Sequence, residues 1–328
     1  MYDVITVGSA TVDVFAKTRF SELIKIIDPK GETDLLAFPS GSKILIDELE
    51  FTTGGGGTNT AVALARLGHK VGFLGKLGSG TNSDFIHKDL KKEKIDLLCR
   101  HGKGHAGYSV ILDTLEHDRT ILTYKGANDE LKNEDVPYKK LKTKWFYFSS
   151  MLEESFHTQE RLAEFAQQRK IKIAFNPSTY LAEKGKSHLK HLLSRTELLV
   201  LNKEEACLLV GQDETEGLLF KLKGLGPRIV VITDGKNTFY VMDDKHIYSA
   251  LPPPVKIVDA TGAGDAFAAS FLSGIIRKND VEFAIKLGVV NAQSVVSNYG
   301  AKNILLAYNE AMKVMKKFKM AVHKKKIK

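Results

Sequence analysis

Cysteine, tryptophan and long apolar runs are scarce in this chain. Its 328 residues include two cysteines, Cys99 and Cys207, and one tryptophan. The cysteines form no Cys-x-x-Cys pair, which excludes a disulfide scaffold and a thiolate zinc site. The longest apolar stretches, such as Leu198 to Leu201 and Ile229 to Ile232, are strand-sized. None approaches the ~18 residues needed to cross a bilayer. Several nucleotide signatures are missing as well. There is no GxxxxGK[ST], so this is not a P-loop enzyme, and no HExxH. No GxGxxG follows the first strand, where the chain reads Gly8-Ser9-Ala10-Thr11-Val12-Asp13. The opening Met-Tyr-Asp-Val-Ile-Thr-Val-Gly has neither a basic segment nor a cleavable apolar one, so a cytoplasmic location is expected.

What is present is an ordinary globular composition. Hydrophobic residues make up 43% of the chain, which excludes a mainly disordered or collagen-like protein. The length fits two domains or one large α/β unit with an appendage. The net charge is +9, and residues 313–328 hold eight lysines and no acid. Without them the body is nearly neutral. The Lys-rich stretch reads as a solvated C-terminal tail or as a patch for a polyanion such as nucleic acid.

The first half alternates strands and helices. Asp3 to Gly8 and Lys70 to Gly75 read as strands, Asn59 to Leu67 and Ser83 to Glu93 as helices. Such a rhythm predicts a parallel sheet covered by helices. Two stretches break it. Phe15 to Phe51 is polar and turn-rich, with short extended pieces such as Lys43 to Ile46. Gly107 to Tyr124 alternates like a hairpin around a charged turn at Glu116 to Asp118. Inserted antiparallel strands of this kind build either a lid or an extension of the sheet. The second half returns to alternation, with strands at Trp145 to Phe148, Ile171 to Phe175, Leu198 to Leu201 and Ile229 to Thr233. Helices are predicted over Thr158 to Arg169, Lys203 to Val210, Ala263 to Ile276 and Val281 to Val296.

Three segments carry chemistry. In Asp259-Ala260-Thr261-Gly262-Ala263-Gly264-Asp265 a Gly-Ala-Gly turn opens into an apolar helix. Unpaired amides and the positive dipole end there suit an anion. Asp265 beside them is either a base for a hydroxyl proton or a plain N-cap. In Gly54-Gly55-Gly56-Gly57-Thr58-Asn59 a glycine run precedes another helix. It either lets a ligand touch the backbone, with Asn59 donating and accepting, or forms a loose turn capped by Asn59. Asn202-Lys203-Glu204-Glu205 follows a strand. It either organises Mg²⁺ through water or caps the next helix.

Together these segments resemble the ribokinase-like (PfkB) family of carbohydrate and nucleoside kinases, from Asp3 to about Ala301. Gly54-Gly55-x-x-x-Asn59 looks like its first signature, Asp259-x-Thr261-Gly262-Ala263-Gly264-Asp265 its second, and Asn202-x-x-Glu205 its NxxE motif. Gly107-Tyr108-Ser109, Arg119-Thr120-Ile121-Leu122 and Gly126-Ala127-Asn128 are also family-like. The resemblance implies a doubly wound α/β/α sandwich over residues 1–312, with a small β-sheet lid from about 14–51 and 103–125. It implies ATP-dependent transfer of a phosphoryl group to a hydroxyl of a sugar. A nucleoside or a sugar phosphate is the alternative acceptor, and a non-catalytic sensor the alternative class.

By the same resemblance Asp265 is the base, and the amides of Gly262, Ala263 and Gly264 form the anion hole. Asp13, Gly55 and Asn59 hold the acceptor. Asn202 and Glu205 position phosphates and Mg²⁺. Thr233 and Gly235 form a nucleotide-binding turn, and Asn291 is a nucleotide-binding candidate on the helix that flanks the adenine. Some relatives hold a monovalent cation, potassium among them, and Asp259 and Thr261 match part of that site. Lid lysines and arginine (Lys17, Lys43, Lys103, Arg119) are the candidates for an acceptor's phosphate. A homodimer through the lid is expected by resemblance. No membrane partner is expected, and nucleic acid only through the tail. One departure stands out: ribokinases proper read Gly-Gly-Lys-Gly, and Gly56 stands in place of that lysine.

Overall fold

The computed structural model describes residues 1–20, 22–28, 31–98, 101–113, 119–317 and 319–327. Cys99 and the turn expected at Glu116 to Asp118 lie outside them. Strand β1 (Tyr2–Val7) leads into β2 (Thr11–Lys17). A hairpin of β3 (Glu22–Asp28) and β4 (Gly31–Ala37) precedes β5 (Glu48–Gly54). Next come α1 (Gly56–Arg66), β6 (Val71–Leu74), α2 (Thr81–Lys92), the short β7 (Asp96–Leu97), β8 (Gly107–Asp113) and β9 (Arg119–Tyr124). The second half runs β10 (Thr143–Phe148), α3 (Glu153–Arg169), β11 (Lys172–Phe175), α4 (Ser178–Ala182), α5 (Gly185–Leu193), β12 (Leu198–Asn202), α6 (Lys203–Val210) and α7 (Thr215–Lys223). It closes with β13 (Ile229–Thr233), β14 (Phe239–Met242), β15 (His246–Ala250), α8 (Ala263–Lys278), α9 (Val281–Val296), α10 (Tyr308–Lys317) and β16 (Val322–Lys326).

Ten of these strands form one sheet in the order β16-β15-β14-β13-β12-β11-β10-β1-β6-β7. From β13 to β7 every pairing is parallel, and β14, β15 and β16 continue it antiparallel. Successive side chains of a strand face opposite sides, so a sheet buried on both faces needs apolar residues at every position. Val4, Trp145 and Tyr147 pack on one face with residues of α1, α8 and α9. Ile5, Phe146 and Phe148 pack on the other with α3, α5, α6 and α7. This is the ribokinase-like α/β fold that the motifs imply.

The interrupting segments form separate sheets. β5-β2-β8-β9 is a four-stranded sheet, and β3-β4 a two-stranded one. Hence the inserted strands are not an edge extension of the main sheet. The expected extended piece at Lys43 to Ile46 is irregular; the strands of that stretch are β3, β4 and β5.

The Lys-rich C-terminus corrects one expectation. A boundary at 312 falls inside α10, and β16 is an edge strand of the main sheet, pairing Tyr248 with Lys324 and Ile247 with Lys325. The physical reason is the open edge of β15, whose backbone groups need partners. Lysines on the new edge then oppose further strand addition. Lys325 Nζ lies 3.0 Å from Glu216, and Lys324 Nζ stands 5.5 Å from the centre of the Tyr248 ring. Among the described residues no helix is long and apolar enough to cross a membrane.

Candidate active site

Strand order reverses beside β1. The chain leaves β1 for β6 and β7 on one side and places β10 to β13 on the other. Open α/β sheets bind ligands at the carboxyl ends of strands next to such a reversal. There the Ser149 N–H donates to the Val7 carbonyl at 3.0 Å, joining the ends of β10 and β1. The glycine run lies on this junction. Gly57 N–H donates to the Ser9 carbonyl at 3.0 Å, and Thr58 Oγ1 to the Gly54 carbonyl at 2.6 Å. Gly55 holds φ +95°, and a Cβ there would stand 2.6 Å from the Ser9 carbonyl oxygen. The run is therefore a fixed bend rather than a loose turn. Helix α1 starts at Gly56, three residues before the predicted Asn59.

Three of the expected acceptor and catalytic residues meet at this bend. Asn59 Nδ2 donates to Asp265 Oδ2 at 2.9 Å, joining α1 to the first turn of α8. The bond fixes the amide's orientation, because a carboxylate only accepts. It leaves Asn59 Oδ1 buried without a partner among the described residues. Burial pushes the Asp265 carboxyl up to about 6; the Asn59 hydrogen bond and the Lys302 cation oppose that rise, and Asp13 adds to it. Asp13, on β2, is buried and accepts from Thr11 Oγ1 at 2.8 Å. Its carboxyl too is raised by burial, against hydrogen bonds from Thr11 and Ser109. A carboxylate poised near neutral pH suits a general base.

The expected anion cradle begins at Gly262, which caps α8 in the left-handed region at φ +76°. A Cβ there would lie 2.4 Å from the Ala301 Cβ. The N–H groups of the first helical turn have no intrahelical carbonyl to bond. Ala263 N–H makes one long contact, 3.3 Å to the Ala260 carbonyl. Beside Gly264 a Cβ would meet nothing within 4 Å, so a ligand has room to reach the backbone. Asp259 braces the turn. Its Oδ1 accepts from the Thr261 N–H at 2.8 Å and Oγ1 at 2.6 Å, and its Oδ2 from the Gly300 N–H at 3.0 Å.

The remaining expected residues divide. Asn202 Oδ1 accepts from the Glu205 N–H at 2.8 Å, and Glu205 Oε2 from the Asn202 N–H at 2.9 Å. This reciprocal cap is the helix-capping alternative for Asn202-x-x-Glu205. Burial nevertheless raises the Glu205 carboxyl, and Asp265 adds to that rise, so the two share one electrostatic environment. Thr233 pairs in register with Asn202 at the ends of β13 and β12, and Gly235 turns beside them at φ +54°. Asn291 requires correction. It is fully buried, its Nδ2 donating to Ser270 Oγ at 2.8 Å and its Oδ1 accepting from the Leu306 N–H at 3.0 Å. Its side chain bonds inside the fold and presents no exposed surface to a ligand here.

Among the described residues no group of three or more His, Cys, Asp or Glu is placed to hold a metal. A single carboxylate at Glu205 fits Mg²⁺ only where phosphates and water supply most of the ligands, which is the usual habit of that ion. Sequence reasoning missed Lys302, whose buried ammonium acts on both Asp13 and Asp265. A lysine near a lysine-rich C-terminus gives no sign of burial in the sequence.

The comparisons with known proteins agree with this geometry. The model for the pfkB family carbohydrate kinases matches residues 21–307. A cytidine kinase from Thermococcus kodakarensis is 29% identical, over 81% of this chain and 94% of its own. A ribokinase from Staphylococcus aureus is 28% identical, over 91% and 95%. The solved structure of an adenosine kinase from Sinorhizobium meliloti superposes with a TM-score of 0.81 at 21% identity, covering 95% of this chain and 99% of that one. A phosphoryl-transfer motif set gathered at one strand-order reversal, inside a family match over most of the sequence, places the chain in the pfkB family of carbohydrate kinases.

Proposed function

We propose that this kinase transfers the γ-phosphoryl group of ATP to a hydroxyl of a free, unphosphorylated sugar. The observation that carries the reading is the Asn59–Asp265 pair, 2.9 Å apart, with Asn59 Oδ1 still unpartnered. In this reading the acceptor hydroxyl donates to Asp265, and a second hydroxyl donates to Asn59 Oδ1. Asp13 takes a third, and Gly55 lets the ring approach the backbone. Asp265 removes the proton as the phosphoryl group arrives, and the amides of Gly262, Ala263 and Gly264 receive the developing charge. Asn202, Glu205, Thr233 and Gly235 hold the nucleotide side. Bound Mg²⁺ supplies neutralisation of the phosphate charge.

The charges favour an acceptor without a phosphate. Lys17 is drawn to Glu48 at 3.7 Å, while Lys43 and Lys103 are exposed. Asp13 and Asp265 repel an anionic sugar. A nucleoside is the second reading, supported by the cytidine kinase similarity over 94% of that protein. The lid exposes Leu49, Phe51, Ile121 and Leu122, which suits a lid-to-lid homodimer that light scattering would detect. A coupled ATPase panel with ribose, fructose, cytidine, adenosine and fructose 6-phosphate tests the acceptor. Turnover with a free sugar is expected to exceed that with the phosphate by at least roughly tenfold, an unpaired buried charge being that costly. Activity confined to nucleosides selects the second reading, and activity confined to the sugar phosphate refutes both.

A further inference from the structure

A buried cation lies beneath the glycine bend. Lys302 is 7% exposed. Its Nζ donates to Thr53 Oγ1 and Thr58 Oγ1, each at 2.9 Å, and stands 3.4 Å from Asp89 Oδ2. Thr53 Oγ1 in turn donates to Asp89 Oδ2 in a short hydrogen bond. All three donors of an ammonium are thereby used. Thr53 and Thr58 bracket the glycine run, one in lid strand β5 and the other in α1. One cation thus fastens both ends of the bend and ties them to α2 through Asp89.

The backbone around Lys302 reaches the anion cradle as well. Gly300 N–H donates to Asp259 Oδ2 at 3.0 Å, and Ala301 lies where a Gly262 side chain would stand. Arg66 Nη1 donates to the Lys302 carbonyl at 2.9 Å, and its Nη2 pairs with Glu93 Oε1 at 2.6 Å. The charges facing Lys302 come from Asp89 of α2, Asp13 of β2 and Asp265 of α8. Asp265 also acts on Glu205 of α6 and on the buried Tyr147 phenol of β10, and Asp259 acts on Asp13. Without a positive charge here, the acids of β2 and α8 would share one pocket with only hydrogen bonds from Thr11, Ser109 and Asn59 to offset them.

We propose that Lys302 is a positioning residue of the transfer reaction, clamping both ends of the glycine bend and offsetting the paired charges of Asp13 and Asp265. The inference deepens the proposed function and rests on Asp265 as the base. Lys302 touches neither substrate in this scheme; it sets where Asn59 and Asp13 stand and how readily Asp265 ionises.

The test compares wild type with Lys302→Met and with the doubly neutral Lys302→Met/Asp89→Asn. The second also removes the Asp89 carboxylate that faces Lys302 at 3.4 Å, and serves if the first fails to fold. KM for ribose and cytidine, KM for ATP, melting temperature and the pH dependence of kcat are measured. In whichever variant is folded, the acceptor KM should rise at least about tenfold and the ATP KM by less than about threefold. The acid limb of kcat should move up by about one pH unit, because a nearby cation favours the ionised carboxylate. A merely structural role would raise both KM values together or leave the limb in place, and either result overturns the proposal. A wild type lacking an acid limb would instead refute Asp265 as base, so the two failures are distinguishable.

Discussion

Asp265→Asn is expected to lower kcat by about 10²–10⁴-fold, the usual contribution of a general base, while ATP affinity stays within about threefold. Asparagine keeps the shape and can still accept from Asn59 Nδ2, but it cannot take a proton. The substitution should not destabilise the fold at pH 8. Burial holds the Asp265 carboxyl at about 6, above the ordinary 3.8. The folded state therefore binds this proton more tightly than the unfolded chain. The ionised group costs stability as pH rises through that interval, and the cost is complete above it. Asparagine removes that cost, so the variant should melt no lower than wild type. Steady-state kinetics, nucleotide titration and a thermal melt check the three statements. Near-normal kcat would show that another group accepts the proton.

The second large effect is expected from Gly262→Ala. The residue holds φ +76°, where a side chain costs about 1–2 kcal/mol. The added Cβ would also overlap Ala301, 2.4 Å away. The turn must shift, carrying the amides of Ala263 and Gly264 with it. Loss of alignment at such donors costs on the order of 10²–10³ in kcat. Since Ala301 adjoins Lys302, the acceptor side should suffer too. Kinetics and a melting curve measure this; wild-type kcat in a folded Gly262→Ala protein would remove the cradle from the mechanism.

Much of this architecture is legible in the sequence because its signals are local. Runs such as Ile229 to Thr233 and Lys203 to Val210 carry their own periodicity and boundaries, and the structure places β13 and α6 on those same residues. The glycine motifs mark the two bends because few other residues tolerate such backbone. The start of α1 is misread, since Gly56-Gly57-Thr58 looks like loop until hydrogen bonds from Gly57 and Thr58 to Ser9 fix it. Strand β16 is unreadable by pattern: Val-His-Lys-Lys-Lys forms a strand because β15 offers it an edge. Lys302 and Asn291 fail for a related reason. The partners that bury them, Thr53, Asp89 and Ser270, are distant in sequence, and no local spacing announces them.

The dependence of kcat on pH, at saturating ATP and acceptor, bears most directly on the base assignment. Wild type should lose activity as a single proton binds near pH 6, the region to which burial lifts the Asp265 carboxyl, and hold a plateau above it. The residual rate of Asp265→Asn should be flat across the same range. A wild-type rate independent of pH there, or an acid limb that survives in the asparagine variant, would contradict it.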